Sequence, residues 1–156
     1  MKKNTFPFSA DGACGAGSIV SGDFFRITVL TDRMLRLEYA PDGVFEDRPT
    51  ILAINRNFPI PDFQIVNEEY GLELHTQHLS LYYDKKEFSS GGLSVKVRSR
   101  SHGIYSTWHY GDSLDENLGG TARTLDQVDG TTPLEPGLNS RLQGFSILDD
   151  SDTLII

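Results

Sequence analysis

The side chains best placed to do chemistry are His75 and His78, the acidic pairs Glu68-Glu69 and Asp149-Asp150, the thiol of Cys14 and the small-residue run Gly119-Gly120-Thr121. Each fails a simple test of spacing. His75 and His78 flank a short HTQH connection, where a metal would need further ligands, and no Cys or third His is near. Exposed hairpin positions account for them better. Neighbouring residues of a strand point to opposite faces, so neither acidic pair converges on one substrate. Turn or surface places are expected for both pairs, rather than acid-base catalysis. Gly119-Gly120-Thr121 lacks the spacing and the lysine of a phosphate loop, and no helical pattern follows it. No nucleophile-elbow motif occurs and no serine is singled out by its surroundings, so Ser-His-Asp chemistry is not assigned. Cys14 is the only cysteine and sits in ADGACGAG without a basic or histidine neighbour, which reads as an inert thiol in a fold that needs no internal disulfide. No metal site and no cofactor is expected.

Two clusters carry more. In SHGIYSTWHY, His102 and His109 flank Tyr105 and Trp108, with Tyr110 next. Trp108 and Tyr110 could stack on sugar rings, since such rings pair an apolar face with a polar edge. Packing in a core or between domains is the more ordinary role for them. Arg123, Asp126 and Asp129 fall within seven residues of one another. They can tie a loop together, the aspartates capping turn amides and the arginine pairing a carboxylate, or they can shape the rim of a polar pocket.

The elements that must position these groups are short strands. Phe25-Ile27-Val29 alternates with Arg26-Thr28-Leu30, and Leu35-Leu37-Tyr39 with Arg36-Glu38, which predicts a hairpin with one packed and one polar face. Pro41-Asp42-Gly43 is a turn. Ile51 to Ile54 is a short apolar run, and Phe63 to Val66 follows a proline-rich bend. Leu72-Leu74 and Leu79-Leu81 flank HTQH as a second hairpin, Leu93-Val95-Val97 is the cleanest period-two run, and Phe145-Ile147 and Leu154-Ile156 supply the last strands. No window carries a helical apolar period, and 15 glycines and 7 prolines punctuate the strands. The expectation is an all-β, antiparallel β-sandwich: an irregular lead-in over 1–22, then one domain over 23–156. Its final strand, Thr153 to Ile156, has no following partner, which predicts a cut inside a longer polypeptide.

Composition bounds the partners. A chain of 156 residues can bury roughly 70% of its unfolded surface as a single domain. A formal net charge of -8 lacks the basic footprint of a nucleic-acid binder. Lys2-Lys3 is not followed by the apolar core of a signal peptide, and no run approaches the roughly 18 apolar residues of a membrane span. A cytoplasmic protein is expected.

The stretch from Asn117 to Ser151, NLGGTARTLDQVDGTTPLEPGLNSRLQGFSILDDS, reads as an ordered loop with Leu118, Leu125, Val128, Leu134 and Leu138 as apolar anchors. Its succession of GGTARTLD, LEPG, SR and DDS resembles the N-terminal domain of glycoside hydrolase family 31, the α-glucosidase and α-xylosidase family. The likeness extends upstream, where FRITVLTDRMLRLEYAPDGVFEDRP is similar to the family's opening hairpin and HLSLYYDKKEFSSGGLSV to its middle strands. It covers most of the chain from Phe25 onward. The resemblance implies a galactose-mutarotase-like β-sandwich that precedes a (β/α)₈ barrel, and the barrel carries two catalytic carboxylates of a retaining double displacement. A barrel needs roughly 200 residues or more, so no catalytic residue carries over to this chain. The partners implied are the barrel of the same polypeptide and, through it, an oligosaccharide. The segment from Gly119 to Gly144 is similar to the loop that reaches the pocket rim, with Asn139, Ser140 and Arg141 nearest the rim, beside Arg123 and Asp126. Relatives commonly read Ser-Arg-Asp-Gly where this chain has Ser140-Arg141-Leu142-Gln143-Gly144, so the carboxylate of that motif is absent.

Two further readings stand beside this one. The Tyr105-Trp108-Tyr110 cluster would suit a free-standing carbohydrate-binding module. A mutarotase-like enzyme would need a convergent acid and base, and the sequence assigns no such pair.

Overall fold

The computed structural model describes residues 10–98, 107–113, 116–120, 126–127, 129–151 and 154. Their regular structure is β apart from one 3₁₀ turn, Ala16–Ser18. The strands form two antiparallel sheets of three and five, so the described structure is all-β, as expected. The chain divides into two compact units, residues 1–62 with 149–156, and residues 63–148. The boundary expected at residue 23 therefore falls inside the first unit.

The first unit holds β1 (Ile19–Ser21), β2 (Phe25–Thr31) and β3 (Met34–Tyr39), in that spatial order. β1 lies within the stretch expected to be irregular. At three residues it is too short to display a period. β2 is central and is buried at every position from Phe25 to Leu30, so both of its faces are covered. This corrects the expectation of one polar face. Arg26 and Thr28 are buried too, Arg26 because its charge is fully paired. The turn after β3 forms as expected. The Gly43 amide donates to Ala40 O at 2.9 Å, and Gly43 has φ +71°, a conformation open to glycine at little cost. The run from Ile51 to Ile54 is not a strand. Thr50 and Ala53 exchange backbone hydrogen bonds of 3.3 and 3.1 Å in a tight turn that leaves Ile51 and Leu52 exposed.

The second unit is a meander of β4 (Phe63–Glu68), β5 (Gly71–Thr76), β6 (Leu79–Tyr83), β7 (Leu93–Val97) and β8 (Thr107–His109), paired in chain order. Alternation in sequence becomes alternation in burial. Leu72, Leu74 and Thr76 of β5 and Leu79, Leu81 and Tyr83 of β6 are buried, while the residues between them are exposed or half-buried. Leu93 and Trp108 join this core from β7 and β8. β4 is an edge strand and mostly exposed. The expected strand at Phe145–Ile147 does not form, and Ile147 is exposed. Of Leu154–Ile156, Leu154 makes a single antiparallel bridge to Thr50, and the last two residues lie outside the described residues.

Candidate functional site

The described limbs of the loop, 116–120 and 129–148, are joined by backbone hydrogen bonds. Leu118 N donates to Asn139 O at 2.9 Å, Gly120 N to Glu135 O at 2.6 Å and Arg141 N to Glu116 O at 3.1 Å. Asn117 is the clasp: its Oδ1 accepts from the amides of Gly119 at 2.9 Å and Gly137 at 2.7 Å, and its Nδ2 donates to Gly137 O at 2.8 Å. A Cβ on residue 137 would lie 2.2 Å from Gly119 O, so only glycine allows the two limbs to close. Ser140 Oγ accepts from the amides of Leu142 and Gln143 at 3.2 and 3.3 Å, and the Ser146 hydroxyl donates to Leu138 O.

These bonds, rather than apolar burial, order the loop. Leu118, Leu134 and Leu138 are each more than half exposed, which corrects their reading as inward anchors. Leu125 and Val128 lie outside the described residues. Among the described residues, Asn117 ties the amides of Gly119 and Gly137 together with no apolar core between them.

The residues expected at the rim fall as follows. Asn139 and Arg141 are exposed on one limb of the loop, with Ser140 half-buried between them and occupied as a turn cap. The Arg141 guanidinium stands 3.7 Å from the Glu116 carboxylate in an open ion pair. Asp126 is exposed, and Arg123 lies outside the described residues. So do His102 and Tyr105.

The aromatic residues form a chain of edge contacts. Tyr83 meets Phe88 at 5.3 Å, Phe88 meets Tyr110 at 5.4 Å and Tyr110 meets Trp108 at 6.3 Å between ring centroids. Trp108 is 8% exposed and Tyr110 43%, so Tyr110 is the ring of the pair open to a ligand. The buried Trp108 Nε1 has no hydrogen-bond partner among the described residues.

A polar network that sequence reading missed lies in the first unit. Arg26 forks onto Glu38, Nε to Oε2 at 2.7 Å and Nη2 to Oε1 at 3.0 Å, and donates from Nη1 to Asp47 at 2.6 Å. Arg36 bridges Glu38 at 3.2 Å and Asp150 at 2.6 Å. Thr50 Oγ1 also donates to Asp150, at 2.8 Å. Arg56 donates to the carbonyls of Gly12, Glu46 and Arg48 and stands 3.8 Å from Asp150. The Nε atoms of Arg36 and Arg56 are buried without partners among the described residues. Burial acts to raise the Asp150 pKa, but the hydrogen bonds from Arg36 and Thr50 and the charges of Arg36 and Arg56 hold it below the usual carboxylate range. Burial opposes the charge of Arg26, yet bonds to Glu38 and Asp47 leave its pKa above the ordinary value. For Arg56, burial and then the charge of Arg36 prevail, and its pKa is lowered. Asp150 is thus not the surface residue expected. It is an ionised clasp that binds the segment after residue 148 to β3 and to Thr50. Asp149 caps the Ser151 amide at 3.0 Å, which is the turn role foreseen for it. A carboxylate saturated by guanidinium groups is a poor general acid, and the network reads as structural.

His75 has two partners on one face of the second sheet. Its Nδ1 is 3.2 Å from Ser80 Oγ and its Nε2 is 3.1 Å from Glu73 Oε2. Among the described residues no group of His, Cys, Asp and Glu could hold a metal, and no helix is long and apolar enough to cross a membrane. Set against protein-family models and against curated proteins, the chain finds no match.

Proposed function

We propose that this chain is the N-terminal β domain of a retaining α-glycosidase of the family 31 kind, non-catalytic in the glycosidic reaction, which the parent carries out in the cytoplasm on terminal α-linked glucose or xylose. Its work is to brace the catalytic barrel and to lend the 116–148 loop to the rim of the substrate pocket. The motif succession from Asn117 to Ser151 motivates the family. One observation carries the role: a loop whose described limbs are joined by their own backbone hydrogen bonds leaves Leu118, Leu134 and Leu138 exposed, together with Ile147 and Leu148. Exposed apolar residues on an ordered loop suit a surface that another domain covers. The best-buried carboxylates of the first unit, Glu38 and Asp150, are consumed by arginines, in keeping with a bracing role.

The isolated chain should leave aryl α-glucosides and aryl α-xylosides intact. Turnover at enzyme-like rates that co-elutes with the chain on a sizing column would overturn the proposal. Titration calorimetry with maltose and isomaltose separates it from a free-standing sugar-binding module. The proposal expects no heat at millimolar sugar, because the pocket floor belongs to the barrel.

A further inference from the structure

We propose that Ser80, His75 and Glu73 form a nucleophile, a general base and an orienting acid that cleave small activated carboxylic esters on the polar face of the five-stranded sheet. The register makes the arrangement. His75 of β5 is paired directly with Ser80 of β6, so their side chains rise from the same face. Glu73 is two residues before His75 on β5 and shares that face. The opposite face of both strands is core, with Leu72, Leu74, Leu81 and Tyr83 almost wholly buried, so the relay stands on packed strands rather than on a mobile loop.

The chemistry follows from the two contacts of the imidazole. An ionised carboxylate can only accept a hydrogen bond, so the 3.1 Å contact with Glu73 assigns the ring proton to Nε2. That leaves the lone pair of Nδ1 facing Ser80 Oγ at 3.2 Å, within reach for removing the hydroxyl proton. In the reaction Ser80 Oγ bonds to the ester carbonyl carbon while its proton passes to Nδ1. The carbon–oxygen bond to the leaving alcohol then breaks as Nδ1 returns the proton to that oxygen. Water attacks the acyl-serine through the same base, releasing the acid and restoring the hydroxyl. Lys96 is the register partner of Ser80 on β7 and shares its face, so it is the cation proposed to meet the developing oxyanion. Glu73 is a positioning residue, since it acts through His75. The face is open: the side chains of His75 and Glu73 are 31% and 53% exposed. An open face suits esters with good leaving groups and short acyl chains.

The test uses the unaltered chain with 4-nitrophenyl acetate and with an alkyl fluorophosphonate, followed by peptide mapping. The expected result is an adduct on Ser80 that heat-denatured chain does not acquire. S80A should lose nitrophenol release, and H75Q should slow it by about 100-fold or more, the lower range of general-base effects. E73Q should lower kcat at unchanged KM, with E73D recovering part of the rate. An adduct on Lys96 or His75 with Ser80 unmodified would overturn the assignment, as would labelling no greater than in denatured chain. Mapping on the unaltered chain decides between these outcomes even if a variant fails to fold. Because the substrates carry no sugar, failure here leaves the glycosidase reading untouched.

Discussion

The five-stranded sheet and the 116–148 loop belong to the same unit and are specified by opposite means. In the sheet, period-two apolar residues turn inward, and Leu72, Leu74, Leu81 and Tyr83 reach 1% exposure or less. In the described part of the loop, Leu118, Leu134 and Leu138 are exposed, and its limbs are joined by Asn117 and by backbone bonds. Water removed from side chains stabilises the first. Hydrogen bonds satisfied within a short stretch fix the second. The contrast teaches that local hydrogen bonds can order a stretch whose leucines Leu118, Leu134 and Leu138 stay exposed.

The largest break in the comparison is a core truncation. Leu81→Ala should destabilise the second unit by about 3 kcal/mol, as removal of a fully buried leucine leaves a cavity, and chemical denaturation would measure it. The arginine network of the first unit sets an intermediate scale. Asp150→Ala removes the carboxylate nearest Arg36, which keeps Glu38, and nearest Arg56, which keeps its carbonyl acceptors, and should cost about 1–3 kcal/mol. Because the folded pKa of Asp150 is depressed, its contribution is present above the unfolded value of about 4 and is lost as pH falls through the lower folded value. An acid titration of stability should therefore flatten in Asp150→Ala relative to the unaltered chain.

Much of the sheet is legible in the sequence. Alternating residues announce β2, β3 and β5 through β7, because period two survives in runs of five or more, whereas at β4 Val66 breaks the alternation of Phe63 and Ile65. β1 and β8, with three residues each, carry too little pattern to be seen. The arginine network is invisible there because its Arg36–Asp150 contact joins residues 114 apart, beyond any local pattern. Leu118, Leu134 and Leu138 read as anchors because hydrophobicity alone does not reveal that a backbone is already satisfied. The Ser80–His75–Glu73 contact lies within reach of a sequence reading. Drawing HTQH as a hairpin with Leu79 following pairs His75 with Ser80, but two histidines three apart suggest a metal pair first and divert attention from the facing strand.

Smaller effects sharpen the contrast inside the loop. Asn117→Ala leaves the Gly119 and Gly137 amides without their acceptor and should cost about 1–2 kcal/mol. Its readout is faster amide exchange in the loop with the sheet unchanged. Leu134→Ala should shift stability by less than about 0.5 kcal/mol, since that side chain is half exposed. A loss as large as that of Leu81→Ala would mean that the loop leucine is an anchor after all.

The role proposed for this sequence is that of an accessory domain of an α-glycosidase. The most direct test is to capture, with an antibody to the chain, the native polypeptide that carries it in its source cells, and to measure its mass and its turnover of aryl α-glucosides and α-xylosides. The account predicts a mass several times 17.4 kDa and α-glycosidase activity in that same polypeptide. A polypeptide near 17.4 kDa, or a larger one inert on both substrates, would contradict it.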